Sequence, residues 1–476
     1  MKTKNIICTL LLLALLLFKS NEARATEIPD TILNKINIPL LVISTDDGLD
    51  PEGYKVDHPE GCVGSALTGN EYKTGRLVMM LMDSVIYDSG DYLAGASGVR
   101  IRQRGNTSAL WNKKSYKVKL SKKYDLFQRD DSKYKNKDWV LLNNPLLDLN
   151  SHFGFSVCKL LGQEWTPEVQ YVNVLLNGDY KGLYVLSESV EQGKGRYDVS
   201  DSGFIIEDDA YWWNEDVYFK GELLPYYVGY TFKYPDADDV SEEYIAKIRN
   251  YIIEVERRLE SNDDIGEYID IESFARGLLG YDILGSEDAV GSNRYICKYD
   301  FIEDDVTSTK LKLGPLWDFD NLFARKGKWS QQHSGNYSFY FKYLLNYEEF
   351  IDEYVRLWNS VKETLYNDLM ELYNDFQLEY GEALDISREM DARRWKKTSY
   401  KRVADDVDII DKWLQERIVW IDEQLKIETS IEMVENEEPA SCIYMLDGRK
   451  VDTEGLSTAT LSPGIYIANG RKIIVR

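Results

Sequence analysis

The feature that most constrains this fold is a change of hydrophobic period along the chain. Between residues 97 and 210 most patterns are those of strands: KKSYKVKL alternates polar and apolar residues, and two β-rich runs are joined by a turn at Asn177 and Gly178. One helix is predicted within this range, in the segment HFGFSVCKLLG, which ends at Gly162. From about residue 240 to 427 the apolar residues recur at helical spacing. This order predicts an α+β fold with a β-rich N-terminal part and a helical C-terminal part.

The first 25 residues have the three parts of a secretory signal peptide. Lys2 and Lys4 precede an apolar run from Ile6 to Phe18, and an Ala-Arg-Ala site follows at 23–25. An uncleaved anchor is the alternative, but the run is short for a bilayer span. We therefore predict a protein exported to the cell surface or the medium, with no integral membrane segment after signal cleavage.

Shifts in composition divide the rest of the chain into four segments. Residues 26–95 read as a small β subdomain, and residues 96–427 form the main domain. Residues 428–440 are acidic and poorly patterned, which is typical of a linker. Residues 441–476 contain short strands with glycine turns, which predicts a small β module.

Charge and cysteine content exclude several classes of function. A net charge of −24 argues against a nucleic-acid binder and against docking on an anionic membrane, because both need clustered basic residues. The cysteines after the signal peptide lie far apart and lack C-x-x-C spacing, so zinc binding is not expected. The compartment permits disulfides, but the sequence does not assign their pairing. These cysteines are Cys62, Cys158, Cys297 and Cys442.

A loop with an acid and an amide is the first candidate for chemistry. In GSEDAVGSNRYICKYD, Asp288 and Asn293 are separated by four residues and precede a strand-like run. Phosphoryl-transfer enzymes need a carboxylate that accepts the hydroxyl proton and an amide oxygen that binds a metal. Such a loop can supply both groups, although an ordinary Asp- and Asn-rich turn would look the same when taken alone.

The segment GPLWDFDNLF contains the second candidate. Asp318 and Asp320 are two residues apart, so in an extended chain they share one face while Trp317 and Phe319 share the other. Two carboxylates in one space repel each other, and Mg²⁺, which prefers oxygen ligands, removes that conflict. The alternative is an acidic turn in which Asp320 caps a following helix.

A basic strand is the third candidate. Arg104, Gly105 and Asn106 form a glycine turn that lets a phosphate approach the backbone closely, and Lys117 or Lys119 can reach the phosphates. A solvated strand face would explain the two lysines equally well.

The order of these parts carries more information than any one of them. Glu188, after the predicted hairpin, is a candidate partner for a strand lysine, with an ordinary strand charge as the alternative. The parts follow one another in the order found in a protein kinase: a glycine turn, a strand lysine, a glutamate, an Asp-x4-Asn loop, a strand and an aspartate of the metal-binding type. H-R-D, D-F-G and a full G-x-G-x-x-G are absent, so a kinase with this sequence would be an atypical one.

From about residue 40 to 427 the chain resembles the CotH kinase family. The matching pieces are IRQRGNTS, KKSYKVKL, DWVLLNN, VNVLLNGDYKGLYVLSE, the Asp288–Asn293 loop, GPLWDFDN and tryptophan-rich C-terminal helices. The resemblance implies an atypical protein-kinase-like domain that uses ATP and Mg²⁺ to phosphorylate Ser or Thr of a protein.

The resemblance also implies roles for individual residues. Asp288 would be the catalytic base, Asp318 with Asp320 would hold the metal, Asn293 would assist, and one strand lysine would contact phosphate. The acceptor would be another exported protein. A catalytically degenerate surface adhesin or carbohydrate-associated structural protein on the same scaffold is the alternative, and nucleotidyl transfer would use the same residues.

The last segment is similar to the sorting domains of the type IX secretion route. The matching pattern is GRKV, then L-x-x-GIYI-x-NGRK-x-x-V. The resemblance implies a short β sorting module and the secretion machinery as its partner.

Overall fold

The fold is described from a computed structural model, which covers residues 36–286, 293–329 and 339–429 and four short strands between 443 and 475. The chain divides after Trp413 into two units, and the division falls within the last helix. In these residues no helix is both long and apolar enough to cross a membrane. The segment predicted as a signal peptide lies outside them, so export stays a prediction.

Within its described residues the first unit has fifteen strands, which form three sheets. They are β1 Leu40–Thr45, β2 Tyr54–Asp57, β3 Ser65–Thr68, β4 Lys73–Leu81, β5 Ser84–Asp88, β6 Val99–Arg104, β7 Ser115–Tyr124, β8 Asn136–Leu142, β9 Val169–Leu176, β10 Asp179–Glu188, β11 Phe204–Asp209, β12 Tyr218–Phe219, β13 Gly229–Tyr234, β14 Arg294–Lys298 and β15 Leu311–Leu316.

The largest sheet closes on itself. Its order is β1-β9-β10-β8-β7-β6-β4-β5, and β1 also pairs with β4 along Leu40–Thr45. The β1–β9 pairing is parallel and the remaining pairings are antiparallel. Strands β1, β4 and β5 come from the segment predicted as a separate subdomain, residues 26–95. The predicted boundary at residue 95 therefore does not coincide with a break in the sheet.

The interior of the closed sheet is the main hydrophobic core. It is filled by alternate residues of the strands, including Leu41 of β1, Ile101 of β6 and Leu186 of β10. On β7, Tyr116 and Val118 are buried in this core, and the lysines between and beyond them face outward. The alternation predicted from KKSYKVKL is confirmed.

The predicted hairpin between β9 and β10 is also confirmed. Asn177 and Gly178 have φ angles of 52° and 79°. Two consecutive positive φ values define the tight turn whose twist matches that of antiparallel strands, and Asn-Gly is its preferred sequence.

A second sheet has the order β12-β13-β11-β14-β15 and is antiparallel throughout. Its central strand, β11, is buried at all six positions even though its sequence, FIIEDD, ends in three acidic residues. Strands β2 and β3 form a separate hairpin.

Seven helices are described. The first lies in the β-rich part, where one helix was predicted, and the other six begin in the part predicted to be helical, between about residue 240 and residue 427. The seven are α1 Asn150–Leu160, α2 Glu242–Ser261, α3 Ile271–Leu284, α4 Phe339–Leu344, α5 Glu348–Val361, α6 Leu365–Arg394 and α7 Val403–Thr429.

Local signals explain where several helices begin and end. The Ser241 side chain accepts a hydrogen bond from the Tyr244 backbone N–H and caps α2. Helix α1 ends just before Gly162, whose φ is 71°, as the sequence predicts.

The order of the elements makes the structure a mixed α/β protein with a β-rich N-terminal part and a helical C-terminal part.

The second unit contains four short strands, which form one sheet of order β17-β16-β18-β19. They are β16 Ile443–Met445, β17 Lys450–Val451, β18 Gly464–Ala468 and β19 Arg471–Val475. Their role as a sorting module stays a prediction.

Three cysteines of the first unit, Cys62, Cys158 and Cys297, are free thiols, and Cys442 lies outside the described residues.

Candidate functional site

A cavity of about 960 Å³ lies between the outer face of the closed sheet and the five-stranded sheet. Strands β6, β7 and β8 supply one wall, and β11, β13, β14 and the segment after β15 supply the other. Most of the residues predicted as site residues line it: Arg104, Gly105, Asn106, Lys117, Asn293, Asp318 and Asp320. Residues far apart in sequence therefore meet at one cavity.

The glycine turn at the end of β6 requires glycine. Gly105 has a φ of 97°, and a Cβ atom at this position would collide with the Ser108 hydroxyl oxygen. The backbone from Arg104 to Asn106 therefore lies at the cavity wall without a side chain at its centre.

Lys117 is the strand lysine that reaches the cavity. Its Nζ lies 3.1 Å from Glu191 Oε1 and 3.2 Å from Asp138 Oδ1. Burial alone would lower the pKa of Lys117, but the two carboxylates outweigh it and raise that pKa above its usual value. Lys117 is thus a fixed, fully charged ammonium group.

Lys119 and Glu188 do not line the cavity. Lys119 lies 3.6 Å from Asp138 on the outer face of β7. Glu188 is 1% exposed and binds Arg129 at 2.5 Å and the backbone N–H of Glu168 at 2.9 Å. The acids that pair with the strand lysines are Glu191 and Asp138. Glu188 pairs with Arg129 instead.

Asn293 and Asp318 are in direct contact. The Asn293 side-chain amide donates to Asp318 Oδ2 at 3.0 Å. The φ angles of Asn293 and Asp318 are 75° and 64°, a conformation that Asn and Asp tolerate better than most residues. Strained backbone of this kind is concentrated at functional sites. The oxygen-bearing side chains of Asn293 and Asp318 are therefore held in contact by backbone conformations that cost a small amount of free energy.

Two aromatic residues anchor the acidic segment, as the sequence predicts. Trp317 and Phe319 are buried, and their rings lie 5.6 and 5.0 Å from the ring of Phe155 on α1. Gly154 allows this approach, because a Cβ atom there would lie 2.7 Å from Phe319 Cβ. The aromatic side chains fix the backbone on either side of Asp318.

The segment is not an extended strand, however. Strand β15 ends at Leu316, and the positive φ of Asp318 turns the chain. Asp320 also lines the cavity, and its backbone carbonyl accepts a hydrogen bond from Asn150 Nδ2 at 3.4 Å. Residues 321–329 form turns, so the alternative in which Asp320 caps a following helix is wrong.

The cavity is also lined by charged residues that were not predicted as site residues, and three of them lie on the second sheet: Glu207 and Asp209 on β11 and Lys233 on β13. Glu207 accepts a hydrogen bond from the backbone N–H of Asn293 at 2.9 Å and pairs with Lys233 at 2.7 Å. The sequence signal that could have identified Glu207 and Asp209 is their position two residues apart in a buried strand, because residues with this spacing lie on the same face.

Asp209 and Lys233 have perturbed titration behaviour. Burial, together with the charge of Glu207, raises the pKa of Asp209. Burial by itself would lower the pKa of Lys233, but Glu207 and its neighbours raise it instead. Asp208 faces the other way and forms a buried pair with Arg294 at 2.8 Å, so it belongs to the core rather than to the cavity.

Asp288, the predicted base, lies outside the described residues. Its role as the base therefore stays a prediction.

A comparison with family models gives one match. The model of the CotH kinase protein family matches residues 101–421, from β6 to α7. The chain belongs to the CotH kinase protein family. No curated protein matches the chain.

The CotH match contains every residue selected from the sequence as a site residue, as well as Glu191, Glu207, Asp209 and Lys233. Membership of this family suggests a phosphotransferase with kinase-like chemistry. The strands that close the main sheet, β1 and β4, lie before the matched region.

The CotH cavity fits the group that a kinase-like function implies, ATP with Mg²⁺. Carboxylate and amide oxygens of Asp318, Asn293 and Asp320 are the hard donors that Mg²⁺ prefers, and Mg²⁺ usually takes few protein ligands and shares the rest with phosphate. Among the described residues no group of three or more acidic, histidine or cysteine side chains is arranged to hold a metal ion.

Proposed function

We propose that this CotH-family chain is an atypical protein kinase that transfers the γ-phosphate of Mg·ATP to Ser or Thr hydroxyls of an exported protein. The observation that supports it most directly is one cavity lined by both the Asn293–Asp318 contact and the Lys117–Glu191 pair. Phosphoryl transfer depends mainly on positioning and on stabilising charge, and these groups supply oxygen ligands and a fixed cation.

Of the two strand lysines, we assign Lys117 to the nucleotide phosphates. Its ammonium group has three N–H donors, and its neighbours Glu191 and Asp138 hold it at the cavity wall. A lysine restrained in this way loses little conformational entropy when it contacts a phosphate oxygen.

Asp318 and Asn293 are the proposed metal ligands, with Asp320 as a further oxygen donor. When bound, Mg²⁺ neutralises charge on the phosphates and orients them. Glu207 supports this arrangement, because it holds the backbone of Asn293 through a hydrogen bond of 2.9 Å.

We assign the base to Asp288. The acceptor oxygen attacks the γ-phosphorus, the bond from that phosphorus to the oxygen bridging to ADP breaks, and the hydroxyl proton passes to a carboxylate. In sequence, Asp288 lies five residues before Asn293, which lines the cavity.

Export is part of the same proposal. The N-terminal charged, apolar and small-residue regions support secretion, and the C-terminal short-strand segment supports an interaction with the secretion machinery. The acceptor would then be a protein that shares this compartment.

The test compares Asp318→Asn with Asp304→Asn, which changes an exposed aspartate away from the cavity. We expect Mg²⁺-dependent stabilisation by ATP and phosphate transfer to the chain itself or to a generic protein acceptor. Asp318→Asn should lower the rate by about a hundredfold or more, and Asp304→Asn should leave it unchanged. Asp288→Ala tests the base in the same assay.

Three results would contradict the proposal in different ways. Transfer of the mass of a nucleotide instead of a phosphate would indicate nucleotidyl transfer. No stabilisation of the wild-type chain by nucleotide would indicate a degenerate scaffold with an adhesive or structural role. Equal activity of wild type and Asp288→Ala would remove Asp288 as the base.

A further inference from the structure

Two arginines on the cavity wall form no ion pair with a described residue, although the charges of Asp318 and Glu207 act on Arg104. Arg102 and Arg104 occupy alternate positions of β6, so their side chains emerge on the same face, and both line the cavity. Among the described residues neither guanidinium has a hydrogen bond or an ion pair, and the Nε atom of Arg102 is buried. A buried, unpaired guanidinium nitrogen costs free energy that a ligand can recover.

The lysines of the same cavity are different. Lys117 is held by Glu191 and Asp138, and Lys233 is held by Glu207. These carboxylates hold the two ammonium groups in place and offset part of their charge, whereas Arg102 has no such neighbour among the described residues.

The position of Arg102 makes its lack of a partner more informative. Arg102 lies directly opposite Lys117 in the β6–β7 register, and like charges in this arrangement repel each other. The chain is strongly acidic, with a net charge of −24, yet no carboxylate of a described residue pairs with Arg102. An anion bound in the cavity, against the face of the two strands, would reduce the repulsion.

We propose that Arg102, together with Arg104, forms a clamp for the phosphate chain of a nucleoside polyphosphate. A guanidinium group binds two phosphate oxygens at once and is therefore suited to this role. The ring of Tyr72, 4.8 Å from the Arg102 guanidinium carbon, restrains the side chain from outside. The identity of the ligand as a nucleotide rests on the proposed function, whereas recognition of a polyphosphate does not.

The residue Arg100 supplies a matched control. It lies on the same strand and contacts the same Tyr72 ring, at 5.1 Å, but it does not line the cavity. The experiment measures binding of inorganic tripolyphosphate and of Mg·ATP to wild type, Arg102→Gln and Arg100→Gln by calorimetry, at one salt concentration. Arg102→Lys, which keeps the charge but loses the paired donors, is a further variant.

We expect Arg102→Gln to weaken tripolyphosphate binding by about ten- to a hundredfold and Arg100→Gln by less than about twofold. Arg102→Lys should lie between them. Because Arg102 has no acidic partner in the described part of the chain, the ligand-free Arg102→Gln protein should unfold at a temperature equal to or above that of wild type. A structural role for Arg102 would lower that temperature instead.

Each other outcome is decisive. If Arg102→Gln and Arg100→Gln weakened tripolyphosphate binding equally, the effect would come from net positive charge alone, and the clamp would be overturned. Unchanged affinity of Arg102→Gln for both ligands would also overturn it, while leaving the kinase proposal intact if wild type binds Mg·ATP. Arg102-dependent binding of tripolyphosphate without any binding of ATP would support the clamp and refute the kinase proposal.

Discussion

Gly154 provides the sharpest test of how the acidic segment is held. It lies in the middle of α1, where replacement of glycine by alanine would ordinarily stabilise a helix by about 1 kcal/mol. At this position, however, the new methyl group would meet the Phe319 ring, including the atoms nearest its backbone. Phe319 is 1% exposed and has no room to retreat.

The expected magnitude follows from these two opposing contributions. Overpacking a core costs about 1–3 kcal/mol, and the upper end applies because the contact involves the ring base rather than a flexible tip. After the gain in helix propensity, Gly154→Ala should lower the free energy of unfolding by about 2 kcal/mol. In thermal unfolding this corresponds to a decrease of roughly 2 °C for a unit of this size.

The matched control is Gly381→Ala in α6. There the nearest heavy atom, Gln377 Cγ, lies at 3.4 Å and belongs to a flexible side chain, so this variant should be up to about 1 kcal/mol more stable than wild type. Unfolding by denaturant and Mg²⁺-dependent nucleotide binding are measured for both. Gly154→Ala should also bind Mg·ATP more weakly, because Phe319 lies between Asp318 and Asp320. If the two variants were equally stable and bound nucleotide equally, the packing argument would be refuted.

Two further predictions separate functional from structural charges. Glu191→Gln should lower kcat/KM for phosphate transfer by about tenfold with little change in stability, because it removes one of the two carboxylates that hold Lys117. Glu188→Gln should lower the free energy of unfolding by about 3 kcal/mol, because it breaks a buried ion pair. The reverse pattern would contradict the assignment. Burial lowers the pKa of His152 to about 4, so the folded chain disfavours its protonation, and stability present above pH 6.5 should decline as the pH falls toward 4. His152→Gln should flatten this part of the pH–stability curve, and His58→Gln, at an exposed position, should not.

Patterns within a single element were readable from the sequence. The alternation in β7 identified which lysines face outward, and Asn177-Gly178 identified the hairpin, because both depend on a few neighbouring residues. Trp317 and Phe319 were placed together on one face for the same reason, although the chain turns at Asp318 between them.

The sequence did not predict which residues of distant elements pair with each other. Glu191 and Glu188 are three residues apart, and only the fold decides which one meets Lys117. Glu207 and Asp209 looked like the charged end of a strand, and their role in the cavity depends on the sheet that lies opposite them. Local periodicity fixes the face of a residue, whereas its partner depends on long-range contacts that a single sequence does not specify.

The closure of the main sheet has a consequence for the limits of the domain. The CotH match begins at residue 101, within β6, whereas β1 and β4 join the two ends of the sheet from outside that match. A fragment cut at the matched boundaries would expose the free edges of β9 and β6, which are templates for pairing with other chains. The region that matches the family model is therefore shorter than the region that the main sheet needs in order to close.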